Sequence, residues 1–404
     1  MRYRVLVAVT LLALVEALHA GPASAQSLVA AVLPSSRSVQ VGSPATAFAT
    51  IINTGDNAAT NVGISLQTNI PASFTFQTTD PQTNALTGSP NTPVNIPAHG
   101  SQSFLIAITP TATIAPTDVA FNFTGANTSP APTVVGLNTL LLSASTNPVP
   151  DVIALSSTLS NDGIVKISNI VGDGAFAVAS SNVGAGASIT VSADTGNATL
   201  PLALSLCQTN PQNGQCTSAI GSTVVAQINT GGTPTFSVFV AANAFIPFDP
   251  ANNRIFVRFK DGQGITHGST SVATQTNLVG TYEGSGSVTL SSCRLSPHNG
   301  TSSGSFTAEV TSQVGNTIDG TFTLNASGVG PNTTVPFTAE ITPSGNIVST
   351  TVSFTVTLAG VPVGSGTATL TGQITGNTIT ADFTGQMQGL ENCEVTGSGT
   401  ATRT

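Results

Sequence analysis

One string in the sequence has the form of a hydrolase motif. Gly300–Gly304 reads GTSSG and fits G-x-S-x-G, the pattern that places a nucleophilic serine on a sharp turn between a strand and a helix. His298 lies close by as a candidate base. Here a loop leads into a strand-like run, so the context of a nucleophile elbow is missing. We interpret the string as a chance match, while a triad assembled from distant residues stays open.

The other candidate catalytic and metal-binding side chains are scattered along the chain. His99 and His267, like His298, each lie beside glycine, proline or asparagine. We expect all three on exposed loops, because none has a partner at metal-ligand spacing. Three aspartates also lie near glycine or proline, namely Asp173, Asp249 and Asp261. They lack the calcium-loop pattern, which favours a role in capping turns.

Glu309 and Glu340 are the candidates for a pair of glycosidase carboxylates. The alternation around Glu309 turns it outward as a solvated charge, and the chain has no tryptophan to stack on a sugar. Since no other pattern points to catalysis, the sequence predicts a non-enzymatic protein with no cofactor and no metal.

Basic residues are too few for a nucleic-acid partner, with 9 lysines and arginines against 17 acidic residues. Phosphate binding needs clustered lysine or arginine. Arg254, Arg258 and Lys260 alternate on one face of a predicted strand. That stripe could contact an acidic partner, but we expect a solvated strand face.

The N-terminus has the three parts of a secretory signal peptide. Arg2 and Arg4 precede a mostly apolar run over 5–18, and Ala23–Ala25 fits the small-x-small cleavage pattern. The sequence predicts export to the periplasm, cell surface or exterior, with residues 1–25 removed. No second run is long enough to span a bilayer, so we expect no membrane span in the mature chain.

The four cysteines fit an oxidising compartment. Cys207 and Cys216 are separated by eight residues, whereas Cys293 and Cys393 stand alone. This spacing lacks the paired knuckles of a zinc site. It favours two disulfides, Cys207–Cys216 and Cys293–Cys393, over a site with four cysteine ligands.

Short runs of Val, Ile, Phe and Thr, separated by Gly, Pro and Asn, predict an all-β protein. Two sandwich modules, 26–146 and 147–276, should precede a barrel over 277–404. In the first module, a strand at 47–52, an Asn53-Thr54-Gly55 turn and a second strand at 59–66 precede Pro71. This order resembles bacterial immunoglobulin-like surface domains of the conserved-repeat and CARDB types, and the resemblance implies an immunoglobulin-like sandwich. Seven strands are predicted in the second module.

The last segment contains eight runs that nearly all alternate between apolar and hydroxyl residues. Eight antiparallel strands with one apolar face can close into an up-and-down barrel with a dry interior. A membrane barrel needs an apolar outer face, and here the apolar face is required for the core. Cys293 follows the first run and Cys393 precedes the last, so their disulfide would staple the seam where the barrel closes.

Five aromatic residues on the apolar face are candidates to line a ligand site: Tyr282, Phe306, Phe322, Phe354 and Phe383. Gly280-Thr281-Tyr282 opens the first run and resembles the lipocalin G-x-W motif, with Tyr in place of Trp. That resemblance implies a barrel that binds a small apolar ligand. The phenylalanines could equally fill the interior and leave no room for a ligand.

Together these observations predict an exported structural or adhesive protein that acts on an unknown protein or surface partner. The alternative is a carrier that holds a small apolar ligand in its C-terminal barrel.

Overall fold

The structure is a computed structural model that describes residues 27–295, 299–326, 333–358, 361–390 and 392–404. The predicted signal peptide and His298 lie outside these ranges. Within them the regular elements are all β-strands, which confirms the predicted fold class. The chain forms two compact units, the first built from residues up to Ser35 with Val39–Asn147, and the second from Ser36–Ser38 with Pro148–Thr404.

The first unit is built around two sheets with the orders β1-β3-β7-β5 and β2-β9-β8-β4-β6. The strands of these sheets are β1 Leu28–Leu33, β2 Ser36–Gln40, β3 Ala45–Asn53, β4 Ala59–Leu66, β5 Ala72–Thr79, β6 Val94–Ile96, β7 Ser101–Pro110, β8 Ile114–Thr124 and β9 Thr139–Ser145. The first three residues of β2 belong to the second unit. Alternate residues of both sheets enter one apolar core, for example Phe104, Ile106 and Phe123. Period-two burial of this kind produces a sandwich.

The second unit begins with another sandwich, whose sheets have the orders β10-β12-β16-β14 and β11-β18-β17-β13-β15. Its strands are β10 Val152–Thr158, β11 Ile164–Ile167, β12 Gly172–Asn182, β13 Ala187–Asp194, β14 Leu202–Thr209, β15 Thr223–Ile228, β16 Thr235–Ala242, β17 Arg254–Lys260 and β18 Thr266–Thr276. The prediction of seven strands missed β10 and β18. β18 is buried on both faces with few apolar side chains, so it lacks the alternation that marks a strand.

The C-terminal segment is a closed barrel of eight antiparallel strands, as predicted. The strands are β19 Gly280–Ser291, β20 Gly300–Val314, β21 Thr317–Ala326, β22 Thr333–Ile341, β23 Asn346–Leu358, β24 Val361–Thr375, β25 Thr378–Gly389 and β26 Cys393–Arg403. β19 pairs with both β20 and β26, which closes the sheet on itself.

Tight turns mark the barrel end at which β20, β22 and β24 finish. Gly315, Gly345 and Gly376 occupy these turns with positive φ of 61°, 80° and 58°, a conformation that glycine adopts without steric penalty. Since successive strands run in opposite directions, all three turns lie at the same end. We call it the sandwich-side end, and the opposite one the disulfide-side end.

Candidate functional site

The interior of the barrel contains a cavity of about 140 Å³. The inward residues of alternating strands form its wall, because side chains on one strand face repeat every second position. All five predicted lining residues border it: Tyr282, Phe306, Phe322, Phe354 and Phe383. The barrel interior is therefore partly hollow.

Glycines on the inner face give the aromatic rings their positions. Phe383 lies directly opposite Gly397 in the β25–β26 register, and a Cβ atom at Gly397 would overlap the Phe383 ring. Phe306, on β20, reaches across β19 and packs against Gly399 of β26. Each ring thus lies against an inner-face glycine of another strand, and the cavity remains beside the rings.

Tyr282 is the aromatic residue with a polar group at the cavity wall. It is 1% exposed, and its hydroxyl donates a hydrogen bond of 2.8 Å to the Leu278 carbonyl. Burial raises the pKa of Tyr282 to about 12, although the nearby positive charge of Arg403 acts to lower it. The phenol is therefore neutral at physiological pH, and its hydroxyl hydrogen is already engaged in the hydrogen bond to Leu278.

The second sandwich covers the sandwich-side end of the barrel. Ile170 and Leu278 are buried in one apolar cluster with the barrel residues Ile318 and Ile374, and Phe245 packs against that cluster. These contacts remove the barrel's end from water. Because the hydrophobic effect scales with the apolar area buried, the cluster joins the sandwich and the barrel into one unit.

Hydrogen bonds fix the same junction. The Asn316 side chain accepts from the Phe248 N–H and donates to the Phe248 carbonyl, both at 3.0 Å. Gln313 accepts from the Leu278 N–H at 2.7 Å and donates to the Thr276 carbonyl at 3.2 Å. The side-chain amides of two barrel residues therefore satisfy backbone groups of the second sandwich and of the linker that leads into the barrel.

Both predicted disulfides are present. Cys293–Cys393 joins residues 100 positions apart at the disulfide-side end, where β19 and β26 pair antiparallel as the prediction required. Met387, Cys393 and Val395 form a small buried cluster there, with Phe354 and Phe383 packed against it. Cys207–Cys216, with a sequence separation of 9, staples a loop of the second sandwich.

The sequence-predicted catalytic candidates do not converge. Ser302 lies within β20, so the G-x-S-x-G string is part of a strand and forms no nucleophile elbow. Glu309 and Glu340 are both exposed. His99 is exposed on a loop beside Asp56, with 3.1 Å between Nε2 and the carboxylate.

The expectation for His267 was wrong. His267 lies in β18 and is 3% exposed, with Nε2 3.0 Å from Asp261 and Nδ1 3.3 Å from the Ser38 hydroxyl. Burial acts to raise the pKa of Asp261, but hydrogen bonds from His267, Ile265 and Gln263 outweigh it and hold the pKa below the usual value. Sequence reasoning missed this array because Ser38 is 229 positions from His267.

This Ser–His–Asp array has the residue types of a catalytic triad but not its accessibility. Ser38 and His267 are each 3% exposed, and neither borders the cavity in the barrel. A nucleophilic serine must reach a substrate carbon at about 3 Å. The array therefore satisfies buried polar groups.

The predicted basic stripe is also not a solvated face. Arg254 is buried and donates to the Pro250 carbonyl and the Ser271 hydroxyl. Burial lowers its pKa to about 10. Arg258 pairs with Asp194 at 2.7 Å and stacks on the Phe256 ring. Among the described residues no group of three or more His, Cys, Asp or Glu side chains could hold a metal ion.

Two further features concern the compartment. The two disulfides indicate an oxidising, exported environment. Within the described part of the chain, no helix has the length and apolarity needed to cross a membrane.

Comparisons with known proteins leave the chain without an assigned family. No family model matches the chain, and no curated protein matches it. Among the solved structures that match is the secreted serine protease VesC from Vibrio cholerae, at 10% identity and a TM-score of 0.18. The match covers 51% of this chain and 45% of that chain, so the chain spans less than half the length of that protein. A likeness this low carries no argument about fold or function.

Proposed function

We propose that this chain is an exported binding protein that holds a small apolar ligand inside its C-terminal barrel. The observation that carries the proposal is the cavity of about 140 Å³ walled by Tyr282 and phenylalanines. Protein interiors are close-packed, and voids larger than a water molecule are few. An apolar void of this size forfeits dispersion contacts that a ligand would restore.

The contrast with the neighbouring core supports the same proposal. In the second sandwich, Phe236 and Phe259 are fully buried and meet edge to face at 5.7 Å. In the barrel, Phe322, Phe354 and Phe383 remain partly exposed, so its aromatic side chains do not fill the interior to the same extent.

Binding is tested by native mass spectrometry of the protein purified from its source. We expect a retained small-molecule mass that is lost after the barrel is unfolded. Titration of the stripped protein with fluorobenzene, followed by ¹⁹F NMR, provides an independent measurement of saturable binding. A consistently empty protein that also fails to bind fluorobenzene contradicts the proposal.

The finer localisation and the adhesive role are separate proposals. We propose that residues 1–25 direct export and that the chain acts in the periplasm, on the cell surface or outside the cell. The immunoglobulin-like pattern of the first unit supports a role in contacting a protein or surface partner. A pull-down from the native envelope or secretome tests this role, and recovery of the chain alone contradicts it.

A further inference from the structure

We infer that the ligand of the barrel is a compact, uncharged hydrocarbon without a polar head group, of about the size of benzene. This inference rests on the proposed function and adds the chemical class of the ligand. It follows from three features of the cavity wall: its charge, the use of its polar groups and its volume.

Among the residues that the structure describes, no charged side chain borders the cavity. Burying an ionised carboxylate or ammonium without a partner costs far more than an apolar contact returns. The carboxylates of barrel strands β19, β20 and β25, namely Glu283, Glu309 and Asp382, are exposed. An anionic or cationic head group would therefore find no counter-charge in the cavity.

The polar residues at the wall are not aimed at a ligand. Ser287, Thr369 and Ser398 border the cavity, but they alternate with the inward residues Val288, Ala368 and Gly399. Strand alternation therefore turns their hydroxyls outward. The Tyr282 hydroxyl is inward, but it donates to Leu278 O. Among the described residues of the wall, no hydroxyl group therefore points at the cavity with its hydrogen free to bind a polar substituent.

The volume sets an upper limit on size. An apolar cavity of about 150 Å³ in an engineered protein stays dry and binds benzene, whereas sites for drug-sized ligands enclose about 300–1,000 Å³. The cavity of about 140 Å³ belongs with the first class. A long-chain amphiphile would have to project out of the barrel, and at the sandwich-side end the cluster around Ile318 and Leu278 blocks that direction.

Glycine–phenylalanine pairs hold the cavity open and provide the variants that test it. An alanine at position 397 would push the Phe383 ring toward the centre, because its Cβ atom occupies the place of the ring. Ala381 lines the cavity on β25, so Ala381→Leu fills the space without a substitution at any glycine. Gly300→Ala is the matched control, since a Cβ there meets nothing within 4 Å.

The experiment compares three probes of nearly equal size by ¹⁹F NMR titration of the full chain: fluorobenzene, 4-fluorophenol and 4-fluorobenzoate. We expect fluorobenzene to bind, 4-fluorophenol to bind at least about tenfold more weakly, and 4-fluorobenzoate about 100-fold more weakly or not at all. Gly397→Ala and Ala381→Leu should each abolish fluorobenzene binding, while Gly300→Ala leaves it unchanged. Retained Tyr282 fluorescence shows that each variant is folded.

The outcomes separate this inference from the proposed function. If 4-fluorobenzoate binds as tightly as fluorobenzene, the ligand class is wrong although the barrel still binds ligands. If fluorobenzene binds both folded cavity-filling variants as it binds the unsubstituted chain, its site lies elsewhere and the inference is overturned. If no probe binds the unsubstituted chain, the inference fails together with the proposed function.

Discussion

The second sandwich and the barrel use the same kinds of residue but fill their interiors differently. In the sandwich, Phe236 and Phe259 are fully buried and in edge contact. In the barrel, Phe306 also meets Phe322 edge to face, with ring centroids 5.9 Å apart, and Phe322 lies 6.4 Å from Phe383. Phe322 and Phe383 nevertheless remain partly exposed and border a cavity.

Closure explains the difference. Two separate sheets can approach each other until their side chains interdigitate, at a spacing of about 10 Å. The diameter of a closed barrel is set by the number of strands and the stagger between them. The interior volume that its side chains must fill is therefore fixed. Glycine on the inner face, as at Gly397 and Gly399, removes side-chain volume from an interior whose walls cannot move inward. The size of the inward side chains therefore decides whether a barrel contains a void. In a sandwich, the two sheets can move closer together and close such a void.

The largest expected difference between the two regions concerns their disulfides. Replacing Cys293 and Cys393 together by alanine should cost the barrel about 4.7 kcal/mol, because a crosslink spanning about 100 residues constrains the unfolded chain most. Replacing Cys207 and Cys216 should cost about 2.6 kcal/mol for its nine-residue separation. Urea unfolding followed by Tyr282 fluorescence measures the barrel, since the chain has no tryptophan and Tyr3, its other tyrosine, lies in the predicted signal peptide. Hydrogen exchange of β14 and β15 peptides measures the sandwich. Equal losses would show that loop length does not govern these crosslinks.

The next largest effect tests packing directly. Phe236→Ala should destabilise the sandwich by about 4 kcal/mol, because it opens a new cavity in a filled core. Phe322→Ala should cost the barrel about 2 kcal/mol, because Phe322 is partly exposed and already borders a void. Hydrogen exchange of β16 and β21 peptides reports the two losses separately. A larger loss for Phe322→Ala would contradict a hollow barrel.

The sequence predicted the fold correctly where the alternation of apolar and polar residues and the residues of the turns indicate the same strands. The eight barrel runs, the positive-φ glycine turns and the seam disulfide are all present in the structure. β18 was missed because its buried positions are mostly Ser, Thr and Gln, which resemble an exposed loop in sequence. The burial of His267 was missed for the same reason.

The candidate site was likewise predictable only in part. Period-two alternation was enough to place Tyr282 and four phenylalanines on one inner wall. It could not show whether their rings meet in the centre, because that depends on which glycine each ring faces across the sheet. The register between β25 and β26 is a property of the closed sheet, and a single strand does not contain it.

The junction between the two regions gives the third prediction. Asn316→Ala should lower barrel stability by about 2 kcal/mol, since it leaves the Phe248 N–H and carbonyl without their partner. The same substitution at the exposed Asn377, in the equivalent turn between β24 and β25, is the control and should change stability by less than about 0.5 kcal/mol. Urea unfolding monitored by Tyr282 fluorescence measures both variants. Equal effects would mean that the sandwich does not stabilise the barrel end through this contact.

The smallest effect concerns the polar group of the barrel wall, which has no counterpart among the phenylalanines of the sandwich core. Tyr282→Phe should cost about 1 kcal/mol at neutral pH, through the lost hydrogen bond to Leu278 O. The folded pKa of about 12 lies above the usual value of 10. The stability that Tyr282 contributes is therefore complete below pH 10 and is lost as the pH rises toward 12. Urea unfolding followed by circular dichroism should show the unsubstituted chain falling toward Tyr282→Phe over this interval. A constant difference across it would mean that the phenol is accessible to water in the folded barrel.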